Sequence, residues 1–247
     1  MNLIEEAAKT SFYYKKDLDF PDWKLIYKLD CKSTESELND YIEDHKIEKN
    51  IPIAIISKQQ IAGFGQYRRP WKSPLGGIWI SALYPIFSTK FSSDIFLLSV
   101  SYHLCEILSE ESIQVKFKWP NDILFGSKKL VGILPGLVTR GNRILYARVG
   151  IGMNLNNKTP LSGISLSEIL NNKKLSEHYW TAKILKAIYF AIESNKDRKK
   201  IVDGSNRFLD KRYLPNGKDY LGWSIKEIDK NGNLLIYKGE KQKKLNY

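Results

Sequence analysis

Residues 129–139 and 143–151 are two β-rich runs on either side of Gly141-Asn142, and a glycine-asparagine pair between two such runs signals a hairpin. Adjacent antiparallel strands follow, so the chain cannot be built on an all-parallel sheet. Further short apolar runs at residues 23–29, 51–58, 78–84 and 115–119 read as strands, the last stopped by Pro120. Helices fall between them. One begins at Thr34, where Glu37 three residues later completes a capping box and Leu38, Tyr41 and Ile42 share a face. Others are expected over residues 94–108, capped by Ser92 or Ser93, over 177–195, and over 206–213. Strands with interspersed helices and a hairpin predict an α+β domain rather than a parallel nucleotide-binding sheet.

After Pro215-Asn216-Gly217 the pattern shortens to strands at 220–228 and 233–237 around Asn231-Gly232. This suggests two domains, residues 1–213 and a small β appendage at 214–247. With 247 residues, 43% of them hydrophobic, the chain can bury a sizeable core. The two cysteines, Cys31 and Cys105, form no C-x-x-C pair, so neither a disulfide framework nor a cysteine-rich zinc site is supported and a reducing, cytoplasmic setting is expected. The opening MNLIEEAAKT leads into no apolar signal segment, and no run is long enough to span a bilayer. No membrane role is expected. An excess of 39 Lys+Arg over 27 Asp+Glu, net +12, admits nucleic acid, an acidic protein or an anionic small substrate. Much of it, including the tracts 196–200 and 238–244, reads as solvated surface.

The usual catalytic signatures are missing: the sequence holds no G-x-x-x-x-G-K-[ST], no G-x-G-x-x-G after a strand, no H-E-x-x-H and no G-x-S-x-G. His45, His103 and His178 lie in helical stretches without a second ligand at metal spacing, so they read as structural or surface groups. Two segments are dense in unusual residues. In residues 59–77, Gly63 and Gly65 let backbone approach a ligand, Arg68 and Arg69 bring guanidinium donors, and Trp71 offers a flat face. That combination suits an anionic ligand bearing a ring, although a surface loop with two arginines would look the same. In Lys118-Trp-Pro-Asn-Asp122, an amide (Asn121) and a carboxylate (Asp122) sit where proline breaks a strand, and Lys129 starts the next strand with Gly132 beside it. A lysine and an aspartate in one cleft could neutralise a phosphate and orient an amine; a surface turn with a lysine-rich strand start is the plainer account.

In order, the chain carries Ser33-Thr34-Glu35; Gln60 with Gly63, Gly65, Arg69 and Trp71; Ser73-Pro74 with Gly76, Gly77 and Ser81; Lys118 to Asp122; Lys128, Lys129, Gly132, Ile133 and Leu134; and Gly150 to Asn156. This succession resembles the biotin protein ligase, or biotin–[acetyl-CoA carboxylase] ligase, family over roughly residues 25–160, and the W-P-N-D plus K-x-x-G-I-L pair is specific. The resemblance implies the fold related to class II aminoacyl-tRNA synthetases, a mixed, mostly antiparallel sheet with flanking helices, plus a small SH3-like C-terminal β domain. It implies biotin and ATP as substrates with Mg²⁺, the ligands of any metal being unknown, and biotin transfer to a lysine of the biotin carboxyl carrier protein of acetyl-CoA carboxylase or a related carboxylase. The catalytic residues it implies are Lys129, Asp122 and Lys118. Biotin would be held by Ser33, Thr34, Gln60, Gly63, Phe64, Gly65, Gln66 and Gly132, and ATP or the adenylate by Arg68, Arg69, Trp71, Asn121, Lys129 and Asn154. The protein would be a monomer or homodimer. With 32 residues ahead of Ser33, the winged helix that some members carry is not expected, nor is DNA binding.

The departures define the alternatives. Phe64 and Gln66 stand where the family has arginine, with Arg68, at a position where the family tolerates Gly or Asn, as candidate substitute; Glu35 replaces the asparagine of Ser-Thr-Asn; and Pro135-Gly136-Leu137 replaces V-E-L, losing a carboxylate. A lipoate or octanoate ligase relative, or an impaired basic nucleic-acid-binding homologue, are the competing readings. The octanoyl-transfer branch needs a catalytic cysteine, and neither Cys31 nor Cys105 lies in a matching motif.

Overall fold

The structure, a computed structural model, describes residues 2–16, 20–44, 51–215 and 220–246. His45 and the Asn216-Gly217 turn lie outside them. The chain divides into two compact units, residues 1–89 with 130–186, and residues 90–129 with 187–247.

The first unit is a mixed sheet. Strand β1 (Lys24–Cys31) runs parallel to β2 (Ile53–Gln60), and β3 (Ile78–Pro85), β7 (Arg143–Met153) and β6 (Lys128–Arg140) follow antiparallel, in the order β1-β2-β3-β7-β6. The expected hairpin joins β6 to β7, and Gly141 takes the left-handed φ of 58° that its two-residue loop requires. Register puts Ile26, Ile55, Ser81, Gly150 and Leu134 in one row across the sheet. Because side chains alternate along a strand, neighbouring rows two residues away share that face: Leu83, Arg148 and Gly136 on one side, Trp79, Gly152 and Gly132 on the other. Helix α2 (Thr34–Asp44) lies on this face and buries Leu38 against Ile55, Leu83 and Tyr146. The opposite face meets α1 (Leu3–Lys15) and the start of α5 (Glu177–Glu193). Lys58 ties both down, pairing with Glu6 and, at 2.8 Å, with Glu177. A one-turn helix, α4 (Leu166–Ile169), carries a full capping box from Ser165 and Glu168.

The capping box expected at Thr34 does not form. Thr34 is already helical, Ser33 is the cap, its hydroxyl accepting the Glu35 N–H at 3.2 Å, and Glu37 reaches Lys28 instead. This shift frees the Thr34 side chain for the sheet.

In the second unit, α3 (Phe96–Glu110) packs on α6 (Arg198–Phe208) at Gly204, where a Cβ would come within 2.4 Å of the Tyr102 ring. Neither Ser92 nor Ser93 caps α3 as expected; a 3-10 turn at Ser93–Ile95 leads into it. The short helix lies at 198–208 rather than 206–213, because Asp197 caps it by accepting the Lys200 N–H at 3.1 Å, so part of the supposedly solvated tract is helical. The strand read at 115–119 is a hairpin, β4 (Lys116–Lys118) with β5 (Asp122–Phe125), turning through a cis Trp119–Pro120 bond. A separate antiparallel sheet, β8 (Ser224–Ile228), β9 (Leu234–Lys238) and β10 (Lys241–Leu245), ends the chain. The expected strand at 220–228 is shorter, and β10 occupies the basic tract. Asn206 brackets the Ile228 backbone, Trp119 Nε1 donates to the Gly232 carbonyl at 3.1 Å, and Arg198 joins Asp94, Ser92 and the Lys230 carbonyl, holding this sheet within the unit. Among the described residues no helix is long and apolar enough to cross a membrane.

Candidate functional site

The candidate residues fall into two sets, one per unit. In the first, the helix start and the end of β2 are stitched by one amide. Gln60 Oε1 accepts from the Thr34 N–H (2.8 Å) and Oγ1 (3.1 Å), its Nε2 donates to Ser73 Oγ (2.7 Å), and Ser81 Oγ donates to Thr34 Oγ1 (2.8 Å). Ser33, Thr34, Ser73 and Ser81 are all buried. Such a network is preorganised: each hydroxyl is fixed by a neighbour and can exchange its partner for a ligand's polar group without moving. Gly63 belongs to the same knot, since a Cβ there would lie 2.7 Å from Ser73 Oγ and 2.8 Å from the Trp71 carbonyl. Gly65 differs. Nothing lies within 4 Å of its Cβ position, so packing does not demand glycine there and the space is open.

The loop expected at 59–77 is a closed hairpin, with Trp71 N–H donating to Gly63 O (2.8 Å), Gly65 N–H to Arg69 O (2.9 Å), and Phe64 bridged to Pro70. At its tip Tyr67 and Arg68 both take left-handed φ, 55° and 57°. Side chains adopt this conformation at a cost of order 1–2 kcal/mol per residue, which explains why glycine or asparagine suits position 68. Arg68 lies over the Phe64 ring at 4.6 Å, Arg69 over Tyr67 at 5.6 Å, and Gln66 is half-buried. Trp71 leans the other way and covers Gly152, where a Cβ would meet Nε1 at 2.8 Å. Gly132 faces Gly152 across the β6–β7 pair. Asn154, buried at the end of β7, offers its Oδ1 to Asn157 Nδ2 at 3.0 Å.

The second set is the turn after Trp119. Asp122 Oδ1 lies 2.5 Å from Lys129 Nζ and Oδ2 lies 3.9 Å from Lys118 Nζ, so the carboxylate stands between two ammonium groups. Lys118 also faces the Tyr213 ring at 5.7 Å. Asn121 is half-buried in the turn. All three charged groups keep partial exposure, 17–29% of their side chains, which leaves an anion able to draw either lysine away.

His103 sits 2.7 Å from Ser194 Oγ, and burial, with the Lys200 charge, lowers its pKa to about 4; His178 lies among Thr10, Glu6 and Tyr27, lowered chiefly by burial. Cys31 and Cys105 are buried and their thiols are pushed up by desolvation. Among the described residues no group of three or more His, Cys, Asp or Glu could hold a metal.

Sequence reading missed the buried pair Glu35–Arg148, 2.6 Å between Oε2 and Nη2, and Asn157. The signal for the first was present: an arginine, Arg148, in the middle of the apolar run of β7.

The first unit thus carries a buried polar knot beside a glycine-bearing hairpin, and the second an aspartate flanked by two lysines. The profile of the biotin/lipoate A/B protein ligase family matches residues 29–154, and the chain belongs to that family. The bifunctional ligase/repressor BirA of Bacillus spizizenii is 32% identical over 137 residues, 55% of this chain and 41% of the relative. Biotin–protein ligase 2 of Arabidopsis thaliana is 25% identical over 131 residues, 51% of this chain and 40% of its own. The match thus spans about four-tenths of the length of these curated relatives. Among solved structures, the biotin protein ligase from Aquifex aeolicus in complex with biotin and ATP superposes with a TM-score of 0.69 at 25% identity, covering 91% of this chain and 96% of that one.

Proposed function

We propose that the chain is a biotin protein ligase that condenses biotin with ATP to biotinyl-5′-AMP and passes the biotinyl group to a lysine of a biotin carboxyl carrier protein. The observation that carries the reading is the Asp122 carboxylate held between Lys129 and Lys118. In the first step a biotin carboxylate oxygen attacks the α-phosphorus and pyrophosphate leaves. Both reactants are anionic, and Lys129 offsets their repulsion by turning from Asp122 to the incoming oxygens. In the second step the carrier amine attacks the acyl carbon and AMP leaves; Asp122 orients that amine and takes its proton. Ser33, Thr34 and Gln60 hold the ureido ring, Gly132 leaves room beside it, and Phe64, Gln66, Gly63 and Gly65 close the hairpin over it. Trp71 and Asn154 line the adenine side, and Asn121, Arg68 and Arg69 serve the phosphates. Mg²⁺ would add charge neutralisation to the triphosphate when bound; no protein cluster of three or more carboxylate, thiol or imidazole ligands lies among the described residues, so the phosphates themselves would be its main donors. Part of the net +12 charge steers the acidic carrier.

Biotin-dependent exchange of pyrophosphate into ATP tests the reading, and Lys129→Ala should abolish it. Exchange with octanoate or lipoate but not biotin would move the chain to the lipoyl branch of its family. Buried, undissociated Cys31 and Cys105 speak against a cysteine-based octanoyl transfer.

A further inference from the structure

Arg148 breaks the apolar pattern of β7, and its strand neighbours offer it nothing polar: in register it lies between Leu83 and Gly136. What holds it comes from α2. Its Nη2 meets Glu35 Oε2 at 2.6 Å and donates to the Glu35 carbonyl at 2.7 Å, while Nη1 donates to Asn39 Oδ1. A Cβ at Gly136 would stand 3.6 Å from Arg148 Cδ, an ordinary contact, so an acidic side chain on β6 could serve the same guanidinium. This chain instead carries the carboxylate two residues after Ser33.

The placement does more than an ion pair requires. Only one Glu35 oxygen serves Arg148. The other, Oε1, is buried with no hydrogen-bond partner among the described residues, on a residue only 9% exposed, and it points at Gly150, 2.7 Å from the Cβ position there. Gly150 pairs with Ser81, whose hydroxyl bonds Thr34, which in turn bonds Gln60. The spare oxygen therefore lies over the strand position that pairs with a member of the same polar knot. A buried anionic oxygen lacking a donor is costly; Arg148 Nε, also buried without a partner among the described residues, does not supply one, and a ligand N–H would.

We propose that Glu35 Oε1 is a specificity-determining acceptor in the acid pocket. It takes a hydrogen bond from an N–H at the end of the substrate remote from the carboxylate, so the pocket selects acids ending in a cyclic urea over alkyl and dithiolane acids. The proposal rests on the assignment of Ser33, Thr34 and Gln60 to the acid's ring.

Calorimetric titration with biotin and with octanoate, alongside thermal melts, tests it on the full chain and three variants. Glu35→Ala removes both functions of the carboxylate; Glu35→Ala/Gly136→Glu returns a partner to Arg148 but none over Gly150. The single variant should melt lower and bind biotin at least about tenfold more weakly, with octanoate unchanged. The double variant should recover the melt and not the biotin affinity. Recovery of both would show that Glu35 acts only through Arg148 and would overturn the proposal. Should neither alanine variant fold, Glu35→Gln decides: its carbonyl stays with Arg148 and an NH₂ replaces the acceptor, so unchanged biotin affinity overturns the proposal. A wild-type chain that binds octanoate and not biotin overturns the proposed function and this inference together; one that binds biotin while the double variant binds it equally well overturns the inference alone.

Discussion

Replacing Gly152 with alanine tests the proposed adenine side of the site apart from the proposed biotin side. The added methyl would stand 2.8 Å from Trp71 Nε1, 2.9 Å from Cε2 and 3.1 Å from Cζ2. Ordinary contact begins near 3.5 Å, so the indole must withdraw by about 0.7 Å. Its backbone cannot follow freely, because the Trp71 N–H is bonded to Gly63 and its carbonyl accepts from Ser73 Oγ at 3.2 Å. The side chain must tilt off β7, at an overpacking cost of about 1–3 kcal/mol. If Trp71 stacks on adenine, losing that contact removes about 1–3 kcal/mol from nucleotide binding, roughly a five- to hundredfold weaker Kd for ATP. Biotin should bind within about twofold of wild type, because the Thr34–Gln60–Ser73 bonds are untouched. Calorimetry with each ligand separately, and urea unfolding, measure all three quantities. Trp71→Ala/Gly152→Ala removes the clash, so its loss of stability should be smaller than the sum of the two single losses while ATP affinity stays low. Loss of stability with unchanged ATP binding in Gly152→Ala would refute the adenine role and leave Trp71 as packing over a glycine.

Two further outcomes follow from other groups. His103 has a folded pKa of about 4 against an ordinary 6.5, so its neutral form is favoured by folding; the associated stability is full above 6.5 and drains as pH falls toward 4, about 2 kcal/mol being gone at pH 5. Urea melts at pH 7.5 and 5 should show that loss reduced in His103→Gln, and equal losses in the two proteins would contradict it. Gln66→Arg should slow release of the preformed adenylate, read as the decay of single-turnover transfer after dilution, and an unaltered rate would remove Gln66 from the adenylate's surroundings.

The strands of the main sheet were legible because their β-branched runs are buried on a pleated surface, and the glycine-asparagine hairpin fixed one pairing outright. Helix α1 was not, for a reason visible in what it buries: Glu6, Thr10 and Tyr14, a stripe at helical spacing facing Lys58 and Tyr27 with hardly an apolar position in it. Helix α6 buries Ile201 and Val202 but also the small Gly204 and Ser205, with Gly204 against the Tyr102 ring of α3, so half of its buried stripe carries no hydrophobic signal. Strand β10 buries only Leu245 and exposes lysines at Lys241, Lys243 and Lys244, a charged sheet edge that reads as a solvated tail. In the site, the glycines, lysines and Gln60 announce themselves as motifs. The Glu35–Arg148 pair does not, since it depends on which residue register places opposite Gly136.

The bond from Trp119 to Gly232 sets a schedule for the protein's birth. The indole belongs to the turn that presents Asp122, and its acceptor is a carbonyl 113 residues downstream, at a glycine with φ 85° whose Cβ would come within 3.1 Å of the Asp94 carbonyl. On the ribosome that turn can acquire its last hydrogen bond only after residue 232 has emerged. A nascent chain therefore has this aspartate-bearing turn completed later than its lysines are made, once residue 232 is available rather than when residues 118–129 first appear.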